Sequence, residues 1–153
     1  MKKMFSACVC GMLMIVSAFG GATSQSAEAD AICGEWVADY GGAVSYIKIS
    51  KSADGTYKGQ VYKVSEPLDE KGNKVLDTKN PDKSLRNVPI DQVVLFNGLK
   101  YDKSSGSWGD TKIYDPTRGI RANMTARLNG KTLNVKGKIL GIGESVTWTR
   151  KQS

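Results

Sequence analysis

The sequence feature that most restricts the fold is a strict alternation of apolar and polar residues, repeated in short segments between turn-forming residues. In one segment the residues that share a face are Ile120, Ala122, Met124, Ala126 and Leu128, and Asn129-Gly130 follows directly. Successive side chains of a β-strand point to opposite faces, and Asn-Gly favours a tight hairpin. The segment therefore predicts a half-buried strand that ends in a hairpin.

The same signals recur from residue 34 to the end of the chain, without a long helical period. They predict strands at 34–38, 44–50, 57–64, 93–101, 120–128, 133–139 and 144–150, and one more that begins near Trp108. About eight strands joined mostly by tight hairpins favour an all-β fold, a single small antiparallel up-and-down barrel, because closure removes exposed sheet edges. An open sandwich of two sheets is the alternative.

One connection, residues 65–92, is too long for a hairpin and carries charges of both signs. Asn80-Pro81-Asp82 is typical of a helix start, because Asn caps a helix, Pro suits its first position and Asp complements its positive end. We therefore expect one or two helical turns over residues 80–87, lying across one end of the barrel. A connection this long is often functional; a solvated loop with a helical corner is the other interpretation.

The first 29 residues have the pattern of a secretory signal peptide. Met1-Lys2-Lys3 is basic, residues 4–19 carry no charge, and Ala27-Glu28-Ala29 fits a cleavage site. The apolar run is shorter than the roughly 18–20 residues of a membrane-spanning helix. We expect cleavage to leave residues 30–153 as one exported barrel domain, periplasmic or secreted and not membrane-spanning.

The chain contains no histidine, and Cys33 is its only cysteine outside the predicted signal peptide. The usual general base, the usual zinc or copper ligand and an internal disulfide are therefore missing, and we expect no cofactor, no metal and no enzymatic activity. Asp110 and Asp115 could in principle act together on a glycan, but their odd spacing directs them to opposite faces of a strand. The net charge of +7 favours acidic partners, although nucleic acid is not expected for an exported protein.

The densest chemistry lies at residues 108–119, where a strand runs into a turn. Asp115 and Pro116 suit the first two positions of a β-turn, and Gly119 can adopt the positive φ that closes it. Tyr114 has a high preference for strands. The pattern predicts either a hairpin corner with a half-buried tyrosine or a barrel rim at which Tyr114 and Asp115 face a ligand.

Several segments together resemble the bacterial domain-of-unknown-function family 2147. They are residues 77–82, Leu85-Arg86, residues 108–119, Gly137 and residues 147–150. The resemblance covers essentially the whole predicted mature chain and is most specific at residues 113–116 with Gly119. The family is similar to the calycins, that is, lipocalins and fatty-acid-binding proteins, so the resemblance implies a small exported lipocalin-like barrel. Residues 87–90 and 120–122 depart from the family pattern.

The resemblance implies a binding protein for a small, partly apolar or anionic molecule. Its motifs place the candidate ligand contacts at Asp77, Asn80, Arg86, Tyr114 and Asp115, and Arg86 would suit a carboxylate or phosphate. The competing interpretation is that Asp77, Arg86 and Asp115 converge and tie the long loop to the barrel by ion pairs. Two other functions stay open: a protein-binding barrel like the periplasmic lysozyme inhibitors, which the basic charge disfavours, and a purely structural envelope protein.

The two ends of the predicted barrel resemble the lipocalin signature, with Gly34-Glu35-Trp36 at the start and Arg150 near the end. In that signature an arginine of the last strand lies over a first-strand tryptophan and closes one barrel end through cation–π contact and hydrogen bonds to carbonyls. The resemblance therefore implies structural rather than catalytic roles for Trp36, Trp108, Trp148 and Arg150.

Residues 116–143 are basic throughout and contain no acidic residue. The six basic residues are Arg118, Arg121, Arg127, Lys131, Lys136 and Lys138. Alternation places four of them, Arg121, Arg127, Lys136 and Lys138, on the outer faces of two strands that share a hairpin. We expect a positive outer wall, which either only keeps the protein soluble or docks weakly on anionic envelope lipid or glycan.

Overall fold

A computed structural model describes residues 22–152, with side chains from Ser26 onward. A helix, α1 (Ala22–Asp30), precedes eight strands: β1 (Gly34–Tyr40), β2 (Ala43–Lys51), β3 (Tyr57–Val64), β4 (Val94–Asp102), β5 (Ser107–Asp115), β6 (Ile120–Asn129), β7 (Thr132–Ile139) and β8 (Ile142–Arg150). Each strand pairs with the next and β8 pairs antiparallel with β1, so the sheet closes into a barrel. The predicted antiparallel barrel is confirmed.

Three seams of the barrel have only two or three regular residue pairs. β1 and β8 pair through residues 36–37 and 149–150. The pairing of β3 with β4 is interrupted by register shifts. β4 and β5 pair regularly through residues 100–102 and 107–109, next to their hairpin, and the long loop, residues 65–93, leads into β4.

Large side chains fill the barrel interior. Trp36, Trp148 and Leu133 are fully buried, and Met124 and Ala126 of β6 face inward beside them, as their alternation predicted. Burial of one large apolar side chain contributes about 1.5–3 kcal/mol. The interior therefore supplies much of the hydrophobic stabilisation of the barrel.

The segment before β1 covers the end of the barrel at which β1 begins and β8 ends. Trp36 Nε1 donates a hydrogen bond to Ile32 O at 2.9 Å, and Trp108 Nε1 donates one to Ala29 O at 3.1 Å. We call this the closed end. The opposite end, which carries the long loop and the turn between β5 and β6, is the open end.

The predicted signal peptide overlaps α1. Residues 1–21 lie outside the described residues, and residues 22–29 belong to the helix. Asp30, which would follow the cleavage site, accepts a hydrogen bond from Tyr57 OH at 2.6 Å and pairs with Lys51 Nζ at 2.9 Å. Cleavage after Ala29 would leave both contacts in the mature chain and would remove the hydrogen bond from Trp108 Nε1 to Ala29 O. Of the helices in the described residues, none is long and apolar enough to cross a membrane.

The helical corner in the long loop is shorter than predicted. Instead of helical turns over residues 80–87, the chain forms one 3₁₀ turn, Lys83–Leu85, and its cap is Asp82 rather than Asn80. A second 3₁₀ turn, Ile90–Gln92, precedes β4. Asn80 Oδ1 still accepts a hydrogen bond, from Asp82 N at 3.0 Å, but the 3₁₀ turn begins after Asp82, whose side chain accepts from Ser84 N.

The last hairpin also differs from the prediction, which placed a turn at residues 141–143. Ile139 pairs with Ile142, so the loop consists of Leu140 and Gly141, with φ of 47° and 88°. Such two-residue loops match the twist of the flanking strands. β8 therefore begins at Ile142 rather than at residue 144. The sequence did not indicate this turn, because leucine is unusual in two-residue hairpin loops.

Candidate functional site

A buried carboxylate holds the long loop to the barrel. Asp77 and Asn80 are each 2 % exposed. Tyr114 OH donates to Asp77 Oδ1 at 2.7 Å, and Asn80 Nδ2 donates to Asp77 Oδ2 at 2.7 Å. Arg86 Nε donates to Asn80 O at 2.8 Å and braces the loop from within. Both carboxylate oxygens therefore have partners, which offsets the cost of burying the charge.

Tyr114 lies on the outer face of the barrel, beneath the long loop. It pairs with Arg121 in the β5–β6 register, and directly paired residues of an antiparallel sheet share a face. Arg121 is on the face opposite the buried Met124, and its guanidinium lies 5.0 Å from the Tyr114 ring centroid. Burial, followed by the hydrogen bond to Asp77, raises the pKa of Tyr114 well above its ordinary value. The tyrosine therefore remains a neutral donor that supports the loop.

Asp115, the residue after Tyr114, shapes the turn rather than the loop. Its Oδ1 accepts a hydrogen bond from Thr117 N at 2.9 Å, and its Oδ2 pairs with Arg118 at 2.6 Å. Burial opposes ionisation, but the bonds from Thr117 and Arg118 outweigh it and lower the pKa of this carboxyl. The expected ion-pair cluster of Asp77, Arg86 and Asp115 does not form, because hydrogen bonds fasten the loop instead.

A second contact joins the long loop to the turn after β5. Lys79 Nζ donates to Thr117 O at 2.6 Å. Gly119 has a φ of 69°, and a Cβ at this position would overlap Lys79 O. The loop backbone therefore packs directly on a residue without a side chain.

The backbone is irregular where the regular pairing of β4 with β5 ends. Gly98 and Asp110 have positive φ, 73° and 64°, and the β5–β6 register shifts between Trp108 and Thr111. Thr111 Oγ1 donates to Asn97 O at 2.7 Å and links β5 to β4 there. Because a bulge bends its strand, a space is left between the wall and the long loop.

This space, which we call the loop cavity, has a volume of about 630 Å³. Its apolar lining consists of Leu85, Val88, Val93, Val94 and Phe96. The charged residues of the lining are Lys112 and Arg121, both positive, and Asp77, which is negative. The lining itself therefore carries one net positive charge, and Asp82 lies outside the lining but near enough to interact with the charge of Arg121. None of the ion pairs within the described residues includes Lys112 or Arg121.

Two of the predicted site residues, Asp77 and Asn80, line the loop cavity, and the other three do not. Sequence reasoning missed Lys112 and Arg121 as contacts of a cavity. Alternation could have indicated them, since both share the outer face with Tyr114, which the motif had singled out. It could not show that the loop would fold over that face.

The described residues were also compared with the arrangements that a metal site or a reactive cysteine requires. Within residues 22–152, no group of three or more histidine, cysteine or carboxylate side chains is arranged to hold a metal ion. Cys33 is half-buried, and burial raises the pKa of its thiol. The reactive thiolate form is therefore disfavoured.

Replacement of Tyr114 by phenylalanine is expected to lower the free energy of unfolding by roughly 1.5–3 kcal/mol, because a buried hydrogen bond to a charged group is lost. Denaturant unfolding measures the change. Tyr62→Phe is the matched control, since its hydroxyl also donates to a carboxylate, Glu35 Oε2, at 2.9 Å but at the surface. Its cost should stay within about 0.5 kcal/mol, and equal costs for the two variants would contradict the role of the buried bond.

Comparisons with known proteins agree with this architecture. A family model described as "Uncharacterized protein conserved in bacteria (DUF2147)" matches residues 34–150. No curated protein matches the chain. A similar solved structure, entitled "Protein HP1028 from the human pathogen Helicobacter pylori belongs to the lipocalin family", has a TM-score of 0.62 and 22 % identity over 79 % of this chain and 83 % of that chain. At this identity the likeness concerns the fold, a lipocalin-like barrel.

Proposed function

Because this chain belongs to the DUF2147 family of uncharacterised bacterial proteins, as its motifs predicted, its function has to be inferred from its own site, and we propose that it binds a small, partly apolar anion in the loop cavity. The observation that carries the proposal is the lining, in which apolar side chains adjoin two cationic groups that have no ion-pair partner within the described residues. The lipocalin-like fold is compatible with this role.

The apolar part of the ligand would lie against β4 and the loop. The cavity volume of about 630 Å³ falls within the roughly 300–1,000 Å³ that is usual for small-molecule sites. Phe96 forms part of this wall, and its ring lies over Gly59, where a Cβ would overlap it. The glycine therefore lets the ring settle into the barrel wall and leaves room beside Val88 and Val94.

The anionic part of the ligand would lie against Arg121 and Lys112. A guanidinium suits a carboxylate or phosphate, because its two parallel N–H groups match the two oxygens. Stacking on the Tyr114 ring at 5.0 Å orients this guanidinium before a ligand arrives. Val88 and Arg121 come from the two segments that depart from the family pattern, which supports a ligand that differs from those of other members.

We place this binding outside the cytoplasm, in the periplasm or the medium, because residues 1–29 have the pattern of a cleaved signal peptide. We also propose binding rather than catalysis. The chain has no histidine to act as a general base near neutral pH, and the Tyr114 hydroxyl remains a donor because its pKa is raised.

Dodecanoate and dodecanol test the proposal, since they share a chain length and differ in charge. Wild-type protein is expected to bind dodecanoate about tenfold more tightly than dodecanol, because a hydrogen bond to a charged group contributes about 1.5–3 kcal/mol. In Arg121→Gln the preference should fall towards parity. Displacement of anilinonaphthalene sulfonate, followed by fluorescence, measures both affinities.

Arg127→Gln is the matched control. It removes the same charge from the same outer face of β6, but Arg127 does not line the loop cavity. The preference for dodecanoate should survive in this variant. Equal affinities of the wild-type protein for the acid and the alcohol would reject the anion site, and failure to bind either would reject the binding function.

A further inference from the structure

The tip of the β7–β8 hairpin, residues 139–142, presents apolar side chains to solvent. Leu140 is 98 % exposed, Ile142 is 78 % exposed and Ile139 is 37 % exposed. Ile139 and Ile142 pair across the hairpin and share a face. Neighbouring apolar side chains thus project from the open end of the barrel, at a turn where polar residues are the rule.

Leucine is also unfavourable for the backbone of this turn. Leu140 and Gly141 have φ of 47° and 88°. In the β1–β2 hairpin at the same end of the barrel, Gly41 and Gly42 occupy the corresponding positions, with φ of 71° and 104°. Loops of this kind favour Gly, Asn and Asp, because a larger side chain is strained at positive φ. Leu140 is therefore unfavourable both for its backbone conformation and for the exposure of its apolar side chain to water. Natural proteins tolerate such residues mainly at functional sites.

Positive charge lies directly behind the tip. Lys136 and Lys138 of β7 face neutral residues on both neighbouring strands. The Lys136 side chain lies across Gly143, where a Cβ would sit 2.8 Å from its Cε, and so extends towards the tip. Glu144, the acidic residue closest to the tip in the sequence, is held by Arg118 at 2.7 Å. The charge of the two lysines therefore remains available to a partner.

We propose that this hairpin tip inserts into the surface of a membrane that contains anionic lipid. A convex tip with apolar side chains suits the boundary between headgroups and acyl chains, and lysines behind it suit the negative headgroups. A glycan would satisfy the lysines but not Leu140 and Ile142. A protein pocket would satisfy the tip, whereas two lysines behind it, of which Lys136 extends towards the tip, fit the headgroups that surround an inserted hairpin. The proposal does not depend on the loop cavity or its ligand.

Vesicle sedimentation tests the insertion. Wild-type protein is expected to co-sediment with vesicles of phosphatidylcholine and phosphatidylglycerol at ~0.1 M salt, and far less at ~1 M salt or with phosphatidylcholine alone. Leu140→Asn should weaken binding about fivefold or more, while its fold is kept, since Asn suits a positive φ. Lys136→Gln and Lys138→Gln should each weaken binding about fivefold, as expected for one lysine near an anionic surface.

Lys131→Gln is the control, since Lys131 is exposed but lies in the turn between β6 and β7 at the closed end, and its binding should stay close to that of the wild-type protein. A Leu140→Trp variant should show a blue-shifted emission on anionic vesicles. If Leu140→Asn binds like the wild-type protein, the lysines act alone and the insertion is overturned. No binding to anionic vesicles at low salt overturns the proposal as well, and makes a protein the occupant of the tip.

Discussion

Replacement of Trp36 by alanine is expected to lower the free energy of unfolding by about 3–5 kcal/mol, because it removes a fully buried indole. The Arg150 guanidinium lies 4.2 Å from the ring centroid. From there it donates to Cys33 O at 3.0 Å and to Ala31 O at 2.6 Å. Without the ring the arginine loses the surface that orients it, so the closed end should loosen as well. Denaturant unfolding followed by circular dichroism measures the loss.

Tyr46→Ala is the control for this prediction. Tyr46 also lies beneath a cation, with Lys63 Nζ at 5.1 Å from its ring centroid, but the pair is on the outer face of β2. An exposed cation–π pair contributes about 0.5–1 kcal/mol, and the contact of Tyr46 with the Tyr62 ring, at 6.2 Å between centroids, contributes about 0.5–1.5 kcal/mol, so this variant should lose about 1–2.5 kcal/mol. If Trp36→Ala is no more costly than Tyr46→Ala, the closed end does not depend on the tryptophan and arginine.

Replacement of Gly119 by alanine is expected to cost roughly 2–5 kcal/mol, which combines the strain of a side chain at positive φ with overlap against the long loop. The added Cβ would meet Lys79 O, a backbone atom that cannot rotate away. The loop should therefore detach while the barrel persists. Hydrogen exchange is expected to quicken within residues 75–90 and to stay slow in β6 and β7.

Gly106→Ala separates the two contributions. Gly106 ends the turn between β4 and β5, which has the same form: its N–H bonds Asp102 O at 2.9 Å, as that of Gly119 bonds Asp115 O at 2.8 Å. Its φ is 62°, and no atom lies within 4 Å of an added Cβ. Gly106→Ala should therefore lower the free energy of unfolding by only about 1–2 kcal/mol. Similar losses in both variants, or an unchanged exchange rate in the long loop of Gly119→Ala, would show that the loop does not rest on this glycine.

Local periodicity was sufficient to predict the barrel. On β6, Met124 and Ala126 are buried whereas Arg121 and Arg127 are exposed, because a strand in a closed sheet has one face inside and one outside. The hairpin after β6 followed from the residue preferences of Asn129-Gly130, although Asn129 pairs with Thr132 and the loop itself consists of Gly130 and Lys131. Where a turn ignored those preferences, at Leu140, the prediction placed the start of β8 wrongly.

The candidate site was predicted only in part. The motif drew attention to Asp77, Asn80 and Tyr114, and these residues do meet. The hydrogen bond between Tyr114 and Asp77 could not be predicted, since the two residues lie 37 residues apart. Alternation assigns a side chain to the outer face but does not indicate which segment covers that face. Arg121 was interpreted as part of the outer wall for the same reason.

The sequence by itself determined the strands, the position of most turns, the antiparallel all-β class and the family, because each depends on short patterns or on motifs within the chain. Only the tertiary structure decided where the loop cavity forms. The irregular pairing of β4 with β5, the burial of Asp77 and the packing of Lys79 on Gly119 arise between distant segments. Such contacts form where hydrogen-bonding groups and surface shapes of distant segments are complementary. They produce no periodic pattern of residues, so they cannot be predicted from the sequence.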